Sequence, residues 1–100
     1  MNYQVQLTNH AKADLKRISE ADLKVVVRNL TELEENPHKG DLLKGSLKGV
    51  RSLKFSLSGG EHRAVYYVIT EDQTCLVFMV RPRERFYEAA ERRYKALTIL

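Results

Sequence analysis

The chain has 100 residues, 43% of them apolar, 17 Lys and Arg against 13 Asp and Glu, and a formal charge of +4 with a sequence pI near 9.3. That is enough for one domain with one modest core, and the apolar fraction is that of a globular rather than a disordered chain. The basic balance points to a polyanion partner, nucleic acid first.

The N-terminus, "MNYQVQLTNHAKADLK", turns polar at once, so no leader peptide is expected. No apolar run approaches the length of a membrane span, and a lone Cys75 cannot form an internal disulfide. Together these imply a cytoplasmic protein, with Cys75 read as a buried structural thiol.

"NYQVQLT" alternates and predicts a first strand with Tyr3, Val5 and Leu7 on one face. Thr8 or Asn9 can cap a first helix, on which Ala11, Leu15 and Ile18 recur at helical spacing. Ser19 is a natural cap for a second helix, with Asp22 at the capping-box position. That helix runs to about Glu35, with Leu23, Val26, Val27, Leu30 and Leu33 as its apolar stripe, and Asn36-Pro37 ends it.

"HKGDLLKGSLKG" reads as a connection. "VRSLKFSL" predicts a strand with Leu53, Phe55 and Leu57 on one face and Ser52, Lys54 and Ser56 on the other. "SGGE" is a hairpin turn, "HRAVYYVI" the returning strand and "EDQT" a second turn. "CLVFMV" is apolar throughout, so it should lie inside the sheet, covered on both faces. A final helix is expected from Glu84, packing through Phe86, Ala89, Ala90 and Leu97 and exposing Arg92, Arg93 and Lys95.

The expected order is β-α-α-β-β-β-α. It is an α+β fold with a small, mostly antiparallel sheet, two N-terminal helices on one face and a C-terminal helix, in a single domain over residues 1–100. The final helix is too short to cover its whole face, so Lys54 and Arg63 are expected on an open concave surface.

Several site types are missing. There is no phosphate-binding glycine loop and no nucleophile-elbow serine. His10, His38 and His62 are scattered and share no metal-ligand spacing, so no metal site is expected. What remains is basic and phenolic: Lys54, Arg63, Arg83 and Tyr87, with Arg51 and Arg81 on the rim. Strands lie about 5 Å apart, so these groups can converge within about 10 Å. The same residues read equally well as a solvated positive face. His62 is either an acid/base near Arg63 or a strand-edge residue.

The element order, "SLKGVRSLKFSL", "HRAVYYVI" and the terminal "RPRERFYEAA" together resemble the RelE/ParE superfamily of bacterial toxins, over nearly the whole chain. The resemblance implies the toxin of a type II toxin–antitoxin system. It implies either ribosome-dependent mRNA cleavage, as in RelE-like members, or gyrase inhibition without cleavage, as in ParE-like members. The first is the main expectation, because Arg83 and Tyr87 match the nuclease branch.

By the same resemblance, Lys54 is the strand lysine, Arg63 the phosphate stabiliser, Arg83 a second clamp or leaving-group acid, and Tyr87 the base or a stacking platform. His62 stands where a tyrosine is usual. Only Lys54 matches the strand lysines, with Arg51 and Lys48 as substitutes; Arg81 and Arg85 join them in binding RNA or the ribosome. No metal or cofactor is implied. The implied partners are the 70S ribosome, mRNA and a cognate antitoxin. The antitoxin would wrap the toxin with an acidic or amphipathic segment, and the complex would repress its own operon through the antitoxin's DNA-binding element.

Overall fold

The structure is a computed structural model describing residues 2–98. The alternating N-terminal run forms strand β1, Gln4–Leu7, and Thr8 caps helix α1, Asn9–Leu15, by accepting a hydrogen bond from the Ala11 amide. Ser19 caps α2, Glu20–Thr31, accepting from the Asp22 amide, and a 3₁₀ turn at Glu32–Glu34 finishes the helix before Pro37. A two-residue strand β2, Asp41–Leu42, and a second 3₁₀ turn at Gly45–Leu47 follow. Strands β3, Val50–Leu57, β4, Gly60–Ile69, and β5, Thr74–Pro82, make the antiparallel meander, and α3 spans Phe86–Thr98.

One five-stranded sheet results, in the order β1-β5-β4-β3-β2. β1 pairs with β5 in parallel, Val5 opposite Cys75 and Leu7 opposite Val77; every other pairing is antiparallel. β5 is therefore an interior strand, which is why "CLVFMV" has no polar alternation.

Each sheet face has its own core. On one face Val26, Leu30 and Leu33 of the α2 region and Ala11 of α1 pack on Leu53, Phe55, Leu57, Tyr66 and Val77. On the other, α3 lays Ala90 over Val50, Val65, Phe78 and Met79, while Tyr94 meets the Phe78 and Tyr67 rings at 6.0 and 6.2 Å. A bulge in β5 serves this second face. Val65 pairs with Met79 and Tyr66 with Val77, so Phe78 is an extra residue, and both Phe78 and Met79 turn toward α3.

The bulge lies where β1 ends, leaving the outer edge of β5 without a neighbouring strand. Two side chains seal it. Asp14 of α1, 5% exposed, accepts from the Val80 amide at 3.0 Å and from both terminal nitrogens of Arg93 at 2.6 and 3.0 Å. Arg93 of α3 also donates to the Phe78 carbonyl at 3.0 Å. The ion pair thus joins the two helical layers around the sheet edge.

Three expectations need correction. Arg93, expected in solvent, is held in this pair because the bulge and the early end of β1 leave edge groups that need partners. Val27, expected in the buried stripe, is 53% exposed: Val26 and Leu30 already fill the contact with the sheet. The final helix starts at Phe86, because Arg85 takes a φ of 54°, outside the helical range.

Candidate nucleic-acid interface

Strand register builds the centre of the site. Lys54 of β3 stands opposite Arg63 of β4, and Arg63 opposite Arg81 of β5. Three cations therefore lie in one row across three strands. Residues of one row share a face, and the Arg63 contact with Phe86 identifies it as the α3 face.

The row is not uniformly open. The Lys54 side chain is half exposed, with its ammonium 3.5 Å from an Asp41 carboxylate oxygen. Arg63 is the enclosed member, its side chain 19% exposed. Its Nε and Nη2 both lie 3.0 Å from Glu61 Oε2, and its guanidinium carbon sits 4.2 Å from the Phe86 ring centre. Glu61 takes one edge of the guanidinium and Phe86 takes a face. A guanidinium has five N–H donors, so the other edge can still grip a phosphate as a fork. The expected open concave surface is thus partly roofed by Phe86.

"RPRERFY" spans the end of β5 and the start of α3. Pro82 closes the strand, and the Arg83 amide donates to the Glu61 carbonyl at 3.1 Å, extending the β4–β5 edge by one bond. The Arg83 and Arg85 side chains are exposed. The left-handed backbone at Arg85 costs about 1–2 kcal/mol for a residue with a side chain, and it swings the chain into α3, whose first turn accepts at the Arg85 carbonyl from Ala89.

Phe86 and Tyr87 then point to different walls. Phe86 covers Arg63, and the Tyr87 phenol donates to the Lys44 carbonyl in the loop after β2. Gly45 next to it has φ +65°, and an added Cβ there would sit 3.2 Å from the phenol oxygen. Ser46 of the same loop donates to Glu91 of α3. Lys54 meets Asp41 and Tyr87 meets Lys44, so the segment from β2 to the 3₁₀ turn forms one wall of the site.

The structure gathers Lys54, Arg63, Arg81, Phe86 and Tyr87 on one face, with Arg83 and Arg85 at its end. It does not bring in His62, which alternates to the opposite face and lines a cavity with Arg17 and Ile18 beside α1, its Nδ1 3.1 Å from the Gly60 carbonyl. Arg51 is engaged elsewhere: it donates to the His38 and Gly40 carbonyls at 3.0 and 2.8 Å and clasps the loop before β2. Lys48 is exposed at the end of the second 3₁₀ turn.

Cys75 is fully buried, and burial pushes its thiol up to about 11, so it is no nucleophile at neutral pH. Sequence reasoning missed Glu61 and Phe86 as site residues. Glu61 was detectable, because residues two apart on a strand share a face and Glu61 thus faces Arg63. The roof made by Phe86 depends on how α3 docks, which no local pattern shows.

Residues 5–91 match the family described as "ParE-like toxin of type II bacterial toxin-antitoxin system". No curated protein matches the sequence. Among solved structures, the RelBE2 toxin–antitoxin complex of Mycobacterium tuberculosis is similar at 26% identity and TM-score 0.74, over 83% of this chain and all of that one. A mutant E. coli RelE toxin in the free state is similar at 23% identity and TM-score 0.76, over 96% of this chain and 98% of that one. A YoeB/ParE toxin from Agrobacterium tumefaciens is similar at 22% identity and TM-score 0.67, over 80% of this chain and 98% of that one. With the α+β order, the parallel β1–β5 pairing and the basic row beneath α3 in place, the chain belongs to the ParE-like toxins of type II bacterial toxin–antitoxin systems.

Proposed function

We propose that this toxin cuts mRNA on the ribosome. The observation that carries the reading is the cation row Lys54–Arg63–Arg81 in register under Phe86 and Tyr87. A row of this kind suits a transition state in which negative charge builds on one phosphate between two bases.

The reaction uses chemistry already in RNA. The 2′-OH attacks the adjacent phosphate, the bond to the 5′ oxygen breaks, and a 2′,3′-cyclic phosphate and a 5′-OH result. The 2′ proton must leave, the phosphorane charge must be held, and the leaving oxygen must gain a proton. Arg63 holds the charge with its free edge, already oriented by Glu61 and Phe86. Arg83 is the second clamp at the exposed end. Lys54 as the neutral amine, or Tyr87 as the phenolate, takes the 2′ proton once RNA displaces Asp41 from Lys54 or Lys44 from the phenol, and Arg83 or a water beside it returns a proton to the leaving 5′ oxygen. Both contacts occupy those groups in the free chain, and the ribosome would hold RNA in the geometry that displaces them.

The partners are the 70S ribosome with mRNA and a cognate antitoxin that covers the basic face. The toxin–antitoxin complex would act on its operon through the antitoxin, in the cytoplasm. A second reading, gyrase inhibition without cleavage, is favoured by the Glu61–Arg63 and Tyr87–Lys44 bonds, which engage two expected catalytic groups. The deciding experiment maps transcript 5′ ends after induction and on arrested ribosomes with purified toxin. New 5′-OH ends within the ribosome-covered codons are expected. Intact transcripts together with poisoned gyrase would overturn the ribonuclease reading.

A further inference from the structure

Two small cavities flank the end of β5 and share one arginine. The first, about 190 Å³, lies on the α1 side and is lined by Arg17, His62 and Arg81, with Ile18 and Val80 as its apolar walls. The second, about 230 Å³, lies toward α3 and is lined by Arg81, Arg85 and Arg92 and by Glu84 and Glu88, so its cations outnumber its acids by one. Asp14 is the acid in the first cavity, and its charge is met: Oδ1 accepts from Arg93, and Oδ2 from Arg93 and the Val80 amide. Among the described residues the Arg17 and Arg81 guanidiniums have no ion pair. The first cavity therefore holds two uncompensated cations.

We propose that the two cavities are successive phosphate seats for a single-stranded polynucleotide, with Arg81 between them, so that the strand passes around the end of β5 from the α3 face to the α1 face. Arginine grips phosphate with two parallel bonds and stays charged, which suits a seat of this size. Arg17 is the residue that commits the strand to the far face. An acidic protein segment would meet the same cations, but the two cavities carry no large exposed apolar side chain of the kind a protein interface buries at its centre, and among the described residues an exposed apolar groove lies on α2 around Leu23 and Val27. Naming the polynucleotide as RNA rests on the proposed function; the seats themselves do not.

The test measures binding to the isolated chain. The probe is a fluorescent single-stranded 2′-O-methyl RNA, which cannot be cleaved by 2′-OH attack, titrated from about 50 to 300 mM NaCl. Each phosphate contact to a single strand contributes about 0.7 to the slope of log affinity against log salt, or about fivefold in affinity at 0.1 M salt. Arg17→Ala is expected to lose about fivefold and to flatten the slope by about 0.7. Lys12→Ala and Arg28→Ala remove one exposed charge each outside the two cavities and are expected to leave both values near wild type.

The proposal falls if Arg17→Ala binds like wild type, or if Lys12→Ala and Arg28→Ala weaken binding as much as Arg17→Ala. It also falls if a polyglutamate peptide binds more tightly than the RNA with the same Arg17 dependence, which would make the cavities a protein site. Because the probe is uncleavable and no ribosome is present, a chain that cuts nothing can still show the Arg17 effect. A chain that cuts mRNA without the Arg17 effect would retain its activity reading and lose the seats.

Discussion

Asp14→Ala is expected to be among the most damaging single changes outside the apolar core. It removes the carboxylate from two short bonds to Arg93 and one to the Val80 amide. Arg93 is left with its side chain 18% exposed and facing only the Phe78 carbonyl. Removing one partner of a buried pair costs about 3–5 kcal/mol, mostly because the surviving charge is uncompensated. Small domains have about 5–15 kcal/mol in total.

With a urea m-value of about 1.5 kcal/mol/M, the unfolding midpoint should fall by about 2–3 M. The assay is urea unfolding followed by circular dichroism on the wild type, Asp14→Ala, Arg93→Met and the double variant Asp14→Leu/Arg93→Met. Replacing both charges by apolar side chains of similar volume removes the orphaned charge, so the double variant should recover part of the loss, with the Val80 amide and the Phe78 carbonyl left unpartnered. An Asp14→Ala stability within about 1 kcal/mol of wild type would refute the reasoning, since surface ion pairs are worth no more than that. So would a double variant as unstable as the sum of the two singles, because the loss would then not come from an orphaned charge.

Other expectations follow from single contacts. The Cys75 thiol lies above its ordinary value in the fold, so its share of stability is present below about pH 9 and is lost as pH rises toward about 11, on the order of 1–3 kcal/mol; in urea titrations across that range, Cys75→Ala should be flatter than wild type. Burial raises the Tyr66 phenol as well, which deepens the same alkaline loss above about pH 10. Tyr66→Phe should cost about 1–3 kcal/mol, because the hydroxyl accepts from the Gly40 amide at 2.9 Å and donates to the Pro37 carbonyl at 2.7 Å. Gly40→Ala should destabilise through the same contact, since its Cβ would meet the Tyr66 ring and hydroxyl at 2.9 Å. Glu61→Ala removes a negative charge from the site and should tighten binding of uncleavable RNA by about fivefold at 0.1 M salt; weaker binding would mean that its orienting of Arg63 outweighs its charge.

Most elements were legible because their signals are local. The caps at Thr8 and Ser19 and the alternation in "VRSLKFSL" each set a boundary where the structure has one, while the turn within "SGGE" is tighter than expected, with β4 already under way at Gly60. β2 was not legible: a two-residue strand with both residues exposed has neither length nor alternation to show. The parallel partner of β1 was not legible either, since it lies seventy positions along the chain at Cys75.

In the site, Lys54 and Arg63 could be aligned through the hairpin because a tight turn fixes register. His62 falls on the face opposite Arg63, as the period of two already implied. Arg51 shows the limit from the other side. It faces away from Lys54 by the same alternation, yet its work depends on where the loop carrying His38 and Gly40 comes to rest.

The parallel pairing of β1 with β5 governs the order in which the molecule can be made. Residues 4–7 leave the ribosome early, but their partners at 74–77 leave late. The Asp14 carboxylate waits longer still, for Arg93. Contacts of such long sequence separation close only after the intervening chain is free. A nascent chain can assemble the α1–α2 pair and the first hairpin, but the C-terminal helix that roofs Arg63 docks last. The basic row is therefore finished only after the sheet beneath it, when α3 arrives and sets Phe86 over Arg63.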